Sequence, residues 1–461
     1  MRGGQRFGEQ VVAGAVLIMV ALGVATETLG DPLPDEQPPV ATGQKLFVER
    51  ALFCHTVVEG MEGTAHLTTG PAGDDPLLLD VIPGGPGPRE LQDRVVTREF
   101  RQPSTAEVIS YGGFAVANTV TNFKRPVPGL GAASCVNSAA RRWYFAQGSS
   151  APGFREFLIL YNPFPDEAVA RVDLVTPDGI RSKANLADVA VPSGGTTAIR
   201  VNDFILQEKV LGAQIEAVRG RIVAWKTVFA RPENRPEGVG STVGARKASP
   251  QWFFPAGAVG PDVDERISVL NPTDREAIVT ISLVADEKML QPEDLVEVSI
   301  PGHRVKELSI TDAVGRDVGA VSAMLRSENG VEVIAERAVW YRSSEFKGFS
   351  LSLGAPKASA SWWLGPAAAA PRRDAVVVLN VGQEEASITI ELLIPEGKGA
   401  NRVKIDDVTV PAGGRAHIPL EELADGLTVA ILRSSAPVIA ERVAYSAFSN
   451  DVAATSGIPI D

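Results

Sequence analysis

The chain is poor in the residues that most often carry chemistry. Its 461 residues include two cysteines, four histidines and six tryptophans. The histidines, at 55, 66, 303 and 417, are isolated apart from the first two, so a zinc site, which gathers three or four ligands, is not expected. No Gly-x-Ser-x-Gly elbow, no Gly-Lys-Ser or Gly-Lys-Thr phosphate loop, no Gly-x-Gly-x-x-Gly opening a helix and no His-Glu-x-x-His occurs. These absences remove the sequence signatures of serine hydrolases, P-loop enzymes, dinucleotide enzymes and zinc proteases. Long basic runs are missing as well, and 56 acidic against 44 basic residues leave a net charge of -12, which argues against nucleic acid as a partner. On these grounds the protein reads as non-enzymatic, without catalytic residues, bound metal or cofactor.

What is present is ordinary globular composition, 44% apolar and 22% charged, long enough for about three domains. Forty-four glycines and 33 prolines point to many turns between short elements. Near the N-terminus Arg2 and Arg6 precede the apolar run Val11 to Ala25, the pattern of an exported chain. Gly23-Val24-Ala25 offers a cleavage site. Alternatively, an apolar stretch over residues 11–29 forms a single membrane anchor. Both readings place the rest of the chain outside the cytoplasm, secreted or tethered, with residues 31–44, Pro-rich and acidic, as a linker. In that oxidising compartment Cys54 and Cys135 are expected to form a disulfide, closing a loop of about 80 residues worth on the order of 4 kcal/mol. The rival reading, a nucleophilic Cys54 beside His55, is disfavoured because neighbours on an extended chain face opposite ways.

An internal period dominates the remainder. Trp143-Tyr144-Phe145, Trp252-Phe253-Phe254 and Trp362-Trp363-Leu364 open three units. Asn162, Asn271 and Asn380 follow at spacings of 109, then Val191-Pro192, Ile300-Pro301 and Val410-Pro411, and finally Ala224-Trp225-Lys226, Ala335-Glu336-Arg337 and Ala440-Glu441-Arg442. Within the units Ala170, Val172 and Leu174 alternate with polar residues, as do Val279, Ile281, Leu283 and Ile388, Ile390, Leu392. Period two marks a strand buried on one face. Seven or eight such runs per unit, separated by turns, predict tandem antiparallel β-sandwiches, Ig-like or fibronectin-like, over 142–250, 251–360 and 361–461; propeller blades of about 40 to 50 residues fit less well. The Asn-Pro step between two of these strands reads as a hairpin turn. Residues 45–141 form a further β domain, either a degenerate repeat or an unrelated cap. Pro83 lies 109 before Pro192 and Gly113-Phe114-Ala115-Val116 echoes Gly220-Arg221-Ile222-Val223, but no Trp stands near position 34.

The run Arg142-Trp143-Tyr144-Phe145-Ala146-Gln147-Gly148 after Cys135, with an upstream Cys, the Leu-x-Asn-Pro and Val-Pro-x-Gly steps and Ala-Glu-Arg, resembles the actinobacterial exported proteins of the domain of unknown function 5719. The resemblance spans most of residues 45–461. It implies a sandwich scaffold and brings no activity or site residue with it.

Residue candidates are therefore few. Asp262, Asp264 and Glu265 offer oxygens to calcium but lack the EF-hand glycine and terminal glutamate, so a solvated acidic loop is the plainer reading. Glu336-Arg337 and Glu441-Arg442 sit mid-strand, where each residue is expected to pair with a charge on a neighbouring strand. Trp143, Trp252, Trp362 and Trp363 are the candidate ligand or partner contacts, since exposed rings stack on sugars and anchor protein partners; the alternative is packing in a core or domain junction. The protein is thus expected to be an extracytoplasmic scaffold or binding protein of the cell envelope, meeting an envelope protein or a glycan. Carbohydrate or wall-polymer binding, and an enzyme acting on envelope glycans, are the alternatives.

Overall fold

The computed structural model describes residues 49–460 apart from 58, 72–77, 83–88, 91–94, 103–104, 112–114, 286–287, 344–345, 397–398, 424–425 and 447–450. The hydrophobic segment 11–29, the linker 31–44 and Pro83 lie outside the described residues. From Val48 onward the chain is one compact unit, built of antiparallel strands in paired sheets.

The tandem β-sandwich architecture is as the sequence implies. In the second sandwich one sheet runs Gly179–Ser182, Ala168–Thr176, Gly212–Arg219, Arg142–Phe145, and the other Thr196–Arg200, Phe154–Tyr161, Val223–Ala230, Gly238–Val243. The third sandwich has the same two orders: Lys288–Leu290, Ala277–Ala285, Gly319–Ser327, Gln251–Val259, and Arg304–Ser309, Val263–Asn271, Ile334–Arg342, Lys347–Leu353. In the fourth, one strand, Val429–Ser446, passes through both sheets. Residues 49–134 repeat the order again, as Arg89–Glu90, Leu78–Ile82, Thr105–Tyr111, Glu49–His55 and Val96–Phe100, Glu62–Pro71, Ala115–Arg125, Gly129–Ser134. In topology this region is a sandwich like the other three, and it is the first in chain order. Its Cys54 and Cys135 are joined, with Cα atoms 4.5 Å apart, in keeping with an oxidising, extracytoplasmic setting.

The period-two triplets face inward: Ala170, Val172, Leu174, Val279, Ile281, Leu283, Ile388, Ile390 and Leu392 are all buried. Burying apolar side chains at about 25 cal/mol per Å² drives the two sheets together. One local expectation fails. The Asn-Pro step is not a hairpin, because Phe154–Tyr161 and Ala168–Thr176 belong to different sheets. The buried asparagine instead braces a corner between sheets. Asn162 Nδ2 donates to the carbonyls of Asp166 (2.7 Å) and Val191 (3.1 Å) while its Oδ1 accepts from Phe164 N (3.1 Å). Asn271 and Asn380 make the same three bonds, to Arg275, Ile300 and Thr273 and to Glu384, Val410 and Gly382.

The four sandwiches close into a ring. The last strand of each second sheet, Gly129–Ser134, Gly238–Val243, Lys347–Leu353 and Val452–Ser456, is a sheet edge, and these four axial strands pack each against the next, the fourth returning to the first. Gly129, Gly238, Gly348 and Asp451 occupy one level of the axis. Counting from them, Ser134, Val243, Leu353 and Ser456 pair across to Asn118, Trp225, Glu336 and Glu441. Only one side chain fits at that level. A Cβ on Gly129 or Gly348 would come within 2.4 or 2.1 Å of the Asp451 carboxylate. That carboxylate accepts from the edge amides of Leu130 (2.7 Å), Phe349 (3.4 Å) and Val452 (2.8 Å), and from Val239. One residue thus satisfies an edge donor in every sandwich. Burial pushes its pKa well up, against the pull of those four amides.

Replacing Asp451 by alanine strands these buried N–H groups, each costing about 1–3 kcal/mol. The midpoint of urea unfolding should fall by the equivalent of about 3 kcal/mol or more, with Asp451→Asn in between; an unchanged midpoint would show that the axis is not held there.

Candidate functional site

Among the described residues the fully buried charged side chains lie where sandwiches meet, and they do so at repeating register positions. The first position is filled by Asn118, Trp225, Glu336 and Glu441, and each reaches into the sandwich before it around the ring. Trp225 stacks on His55 of the first sandwich, ring centroids 6.0 Å apart, beside a His55 Nε2 to Thr227 Oγ1 contact of 3.1 Å. Glu336 accepts from the backbone of Ala146 (2.8 Å) and Gln147 (2.6 Å) and pairs with Lys226 at 2.8 Å. Glu441 accepts from Ala256 N at 3.0 Å and pairs with Arg337 at 2.7 Å. Asn118 closes the ring by donating to the Pro366 carbonyl at 2.6 Å.

The second position, one residue on, holds Thr119, Lys226, Arg337 and Arg442. The third holds Ala65, Glu156, Glu265 and Asp374, as the registers Ala65↔Thr121, Glu156↔Val228, Glu265↔Val339 and Asp374↔Ala444 show. Two junctions therefore bury one cation between two carboxylates, Glu156–Lys226–Glu336 and Glu265–Arg337–Glu441, with every side chain at most 1% exposed. A closed site cannot hold an unbalanced charge cheaply. Desolvation pushes the pKa of Glu156 and of Glu265 to about 7, against the pull of Lys226 and Arg337 respectively. At the closing junction the neutral Asn118 replaces the second carboxylate, and Arg442 turns back onto Asp374 of its own sandwich, using Nε (2.8 Å) and Nη2, and onto Thr428 O (2.6 Å). At the first junction the three positions carry Thr119, Ala65 and Trp225, and no charge remains. His55 there is fully buried and its pKa falls to about 4.

These placements correct several expectations. The glutamates of the Glu-Arg pairs do not bond to neighbouring strands: Glu336 and Glu441 bridge sandwiches, because their strand lies beside the axial strand at the junction, while the arginines do reach adjacent strands, Arg337 at Ser352 (3.1 Å) and Arg442 at Asp374 (2.8 Å). Glu265 is not part of a solvated loop. It is fully buried and accepts from Ala258 N at 2.7 Å, while Asp264 faces the other way toward Arg235 (2.8 Å) and Arg266 (3.1 Å). Among the described residues no cluster of three metal-ligating side chains exists. Trp143, Trp252, Trp362 and Trp363 present no ring to solvent, being 0–2% exposed. The first three donate to the carbonyls of Ile222 (2.9 Å), Val333 (2.8 Å) and Val438 (3.0 Å); the first two carbonyls lead into a strand of the opposite sheet, and the third lies on Val429–Ser446, the strand common to both sheets. Trp363 packs at the junction of the fourth and first sandwiches, in a cluster with Val95 and Val116. The sequence reading missed these buried acids; the recurrence of Glu156, Glu265 and Asp374 at spacings of 109 is the signal that could have found them.

Two outcomes follow. Glu441→Ala breaks the buried Arg337 ion pair that crosses the junction and leaves the Ala256 amide without its acceptor, and should cost about 3–5 kcal/mol, whereas Asn118→Ala, at the same register position but neutral, should cost about 1–3 kcal/mol; urea unfolding checks the order. Glu156 and Glu265 bind protons more tightly folded than unfolded, so their contribution to stability declines as pH rises from about 4.5 through about 7. The Glu156→Gln, Glu265→Gln double variant should therefore match the parent near pH 5 and exceed it near pH 8. Parallel pH profiles of the two would contradict this.

Beyond the geometry, comparison with known proteins adds little chemistry. No curated protein matches the chain. Among solved structures the chain is similar to Thermotoga maritima 1070, at 18% identity over 24% of this chain and 95% of that one with a TM-score of 0.21. It is also similar to the Anabaena sensory rhodopsin transducer, at 18% identity over 19% and 92% with a TM-score of 0.17. A third likeness is to the Streptomyces avermitilis alpha-L-rhamnosidase, solved with L-rhamnose, at 9% identity over 81% and 53% with a TM-score of 0.14. Scores this low carry no argument. The family of unknown function DUF5719 matches residues 110–348, just over half of the chain, and the protein belongs to that family.

Proposed function

We propose that the protein is a non-enzymatic, extracytoplasmic scaffold or binding protein of the cell envelope, tethered through residues 11–29 or released when they are cleaved. The observation that supports this reading is how the buried ionisable groups are used. Lys226, Glu336, Arg337, Glu441, Asp374, Arg442 and Asp451 all hold one sandwich to another or to itself, and none is more than 3% exposed. A reacting group must touch a substrate; these touch only protein. The ring closure fixes the outer faces of four sandwiches relative to one another, which is what a scaffold requires.

An enzyme acting on envelope glycans would need two carboxylates about 5 to 10 Å apart beside an open cleft. The carboxylate pairs here are sealed inside junctions and do not favour that reading. Carbohydrate binding through the unit-opening tryptophans loses its basis with their burial.

The full chain, immobilised in its oxidised form, should retain an envelope protein or a purified wall fraction. The alanine variant of Asp451, with its ring loosened, should retain less. If neither envelope proteins nor wall polymer are held, the binding reading falls.

A further inference from the structure

The axis of the ring has two unlike ends. One is occupied by the Asp451 carboxylate. Around the other lies a cavity of about 230 Å³, to which all four axial strands contribute, among them Ala133, Thr242, Leu351 and Ala454. Its walls are chiefly apolar, and the chain segments following the third and fourth axial strands form the rim, where Pro356, Lys357 and Pro459 are exposed. No Asp or Glu is among the lining residues, and Lys357 makes no ion pair among the described residues. Ser134, Ser241, Thr242, Ser352, Thr455 and Ser456 bring hydroxyls to the lining, but the wall that faces the space is mainly apolar, and burying a hydrocarbon chain against it is favourable. Apolar pockets of about 150 Å³ take a six-carbon ring, so by proportion this one takes about nine carbons.

We propose that the cavity binds a medium-chain carboxylate, an acyl chain of about eight or nine carbons, with the chain along the axis and its carboxylate paired with Lys357. The apolar walls select the chain, and the single rim cation selects the sign of the head group. This assignment uses none of the junction residues and is independent of the scaffold reading.

The test uses the full chain with sodium octanoate as probe, followed by calorimetry and by the methyl resonances of alanine in a 13C-labelled sample. Octanoate should bind and shift the methyl signals of Ala132, Ala133, Ala355 and Ala454, leaving those of Ala170 and Ala217 in the second sandwich core unmoved. Hexanoate, two methylenes shorter, should bind about tenfold more weakly. Lys357→Glu should weaken octanoate about fivefold or more while leaving unfolding unchanged, because Lys357 is an exposed rim residue. No binding at millimolar octanoate, shifts confined to other alanines, equal affinity for octan-1-ol, or tighter binding of phenylacetate would each overturn the proposal.

Discussion

A sheet edge carries a row of unpaired amides and carbonyls, and a stable protein must pair or cover it. Here four sandwiches each end a sheet on such an edge, and the molecule's solution is to turn all four edges toward a common axis. The constraint is severe because the edges must approach closely. Glycine stands at 129, 238 and 348 where a side chain would collide, and the one position with a side chain, Asp451, supplies the acceptor that the surrounding amides need. The remaining features follow from that approach. Strands one place further out are forced against neighbouring sandwiches, so whatever they carry mid-strand is buried at a junction and must be partnered there.

The junctions show how a repeat is specialised without changing its backbone. At one register position the chain uses Asn118, Trp225, Glu336 and Glu441, and the residues around each have adjusted to its chemistry. Where it is a glutamate, the preceding sandwich offers a cation and backbone amides. Where it is tryptophan, the neighbouring surface offers His55 and the second position is the neutral Thr119. Where it is asparagine, Arg442 is released to make a bidentate pair within its own sandwich. Buried ion pairs add little net stability when geometry is good, yet breaking one is expensive. Their effect is therefore greatest on register, since a sandwich rotated out of place would strand a charge in the interior.

Much of this was legible in the sequence, and the limits have physical causes. The three later sandwiches announce themselves because Trp143, Trp252 and Trp362 and the bracing Asn162, Asn271 and Asn380 do the same structural work at constant spacing. The first sandwich hides because Leu52 stands where those tryptophans stand, only 91 residues before Trp143, so a search at a fixed spacing of 109 looks in the wrong place. The echo between Val116 and Val223, by contrast, is true to the register. The Asn-Pro corner reads as a hairpin in the sequence because side-chain bonding to a turn looks alike within a sheet and between sheets. Closure of the ring had no local signature at all. Asp451 differs from the glycines it matches, and its meaning depends on three amides more than 100 residues away.

That separation along the chain also orders events in time. Asp451 comes later in the sequence than Leu130, Val239 and Phe349, the residues whose amides it holds. A chain emerging from its N-terminus can complete the first three sandwiches and leave their axial edges facing one another with nothing between them. The ring locks only when the fourth sandwich arrives and lays its aspartate among them. Until then the first sandwich has a neighbour on one side only, and its junction surface around Val116 and Asn118 is bare. Asp451 thus acts as a latch: it arrives after the amides of Leu130, Val239 and Phe349 and gives all three an acceptor at once.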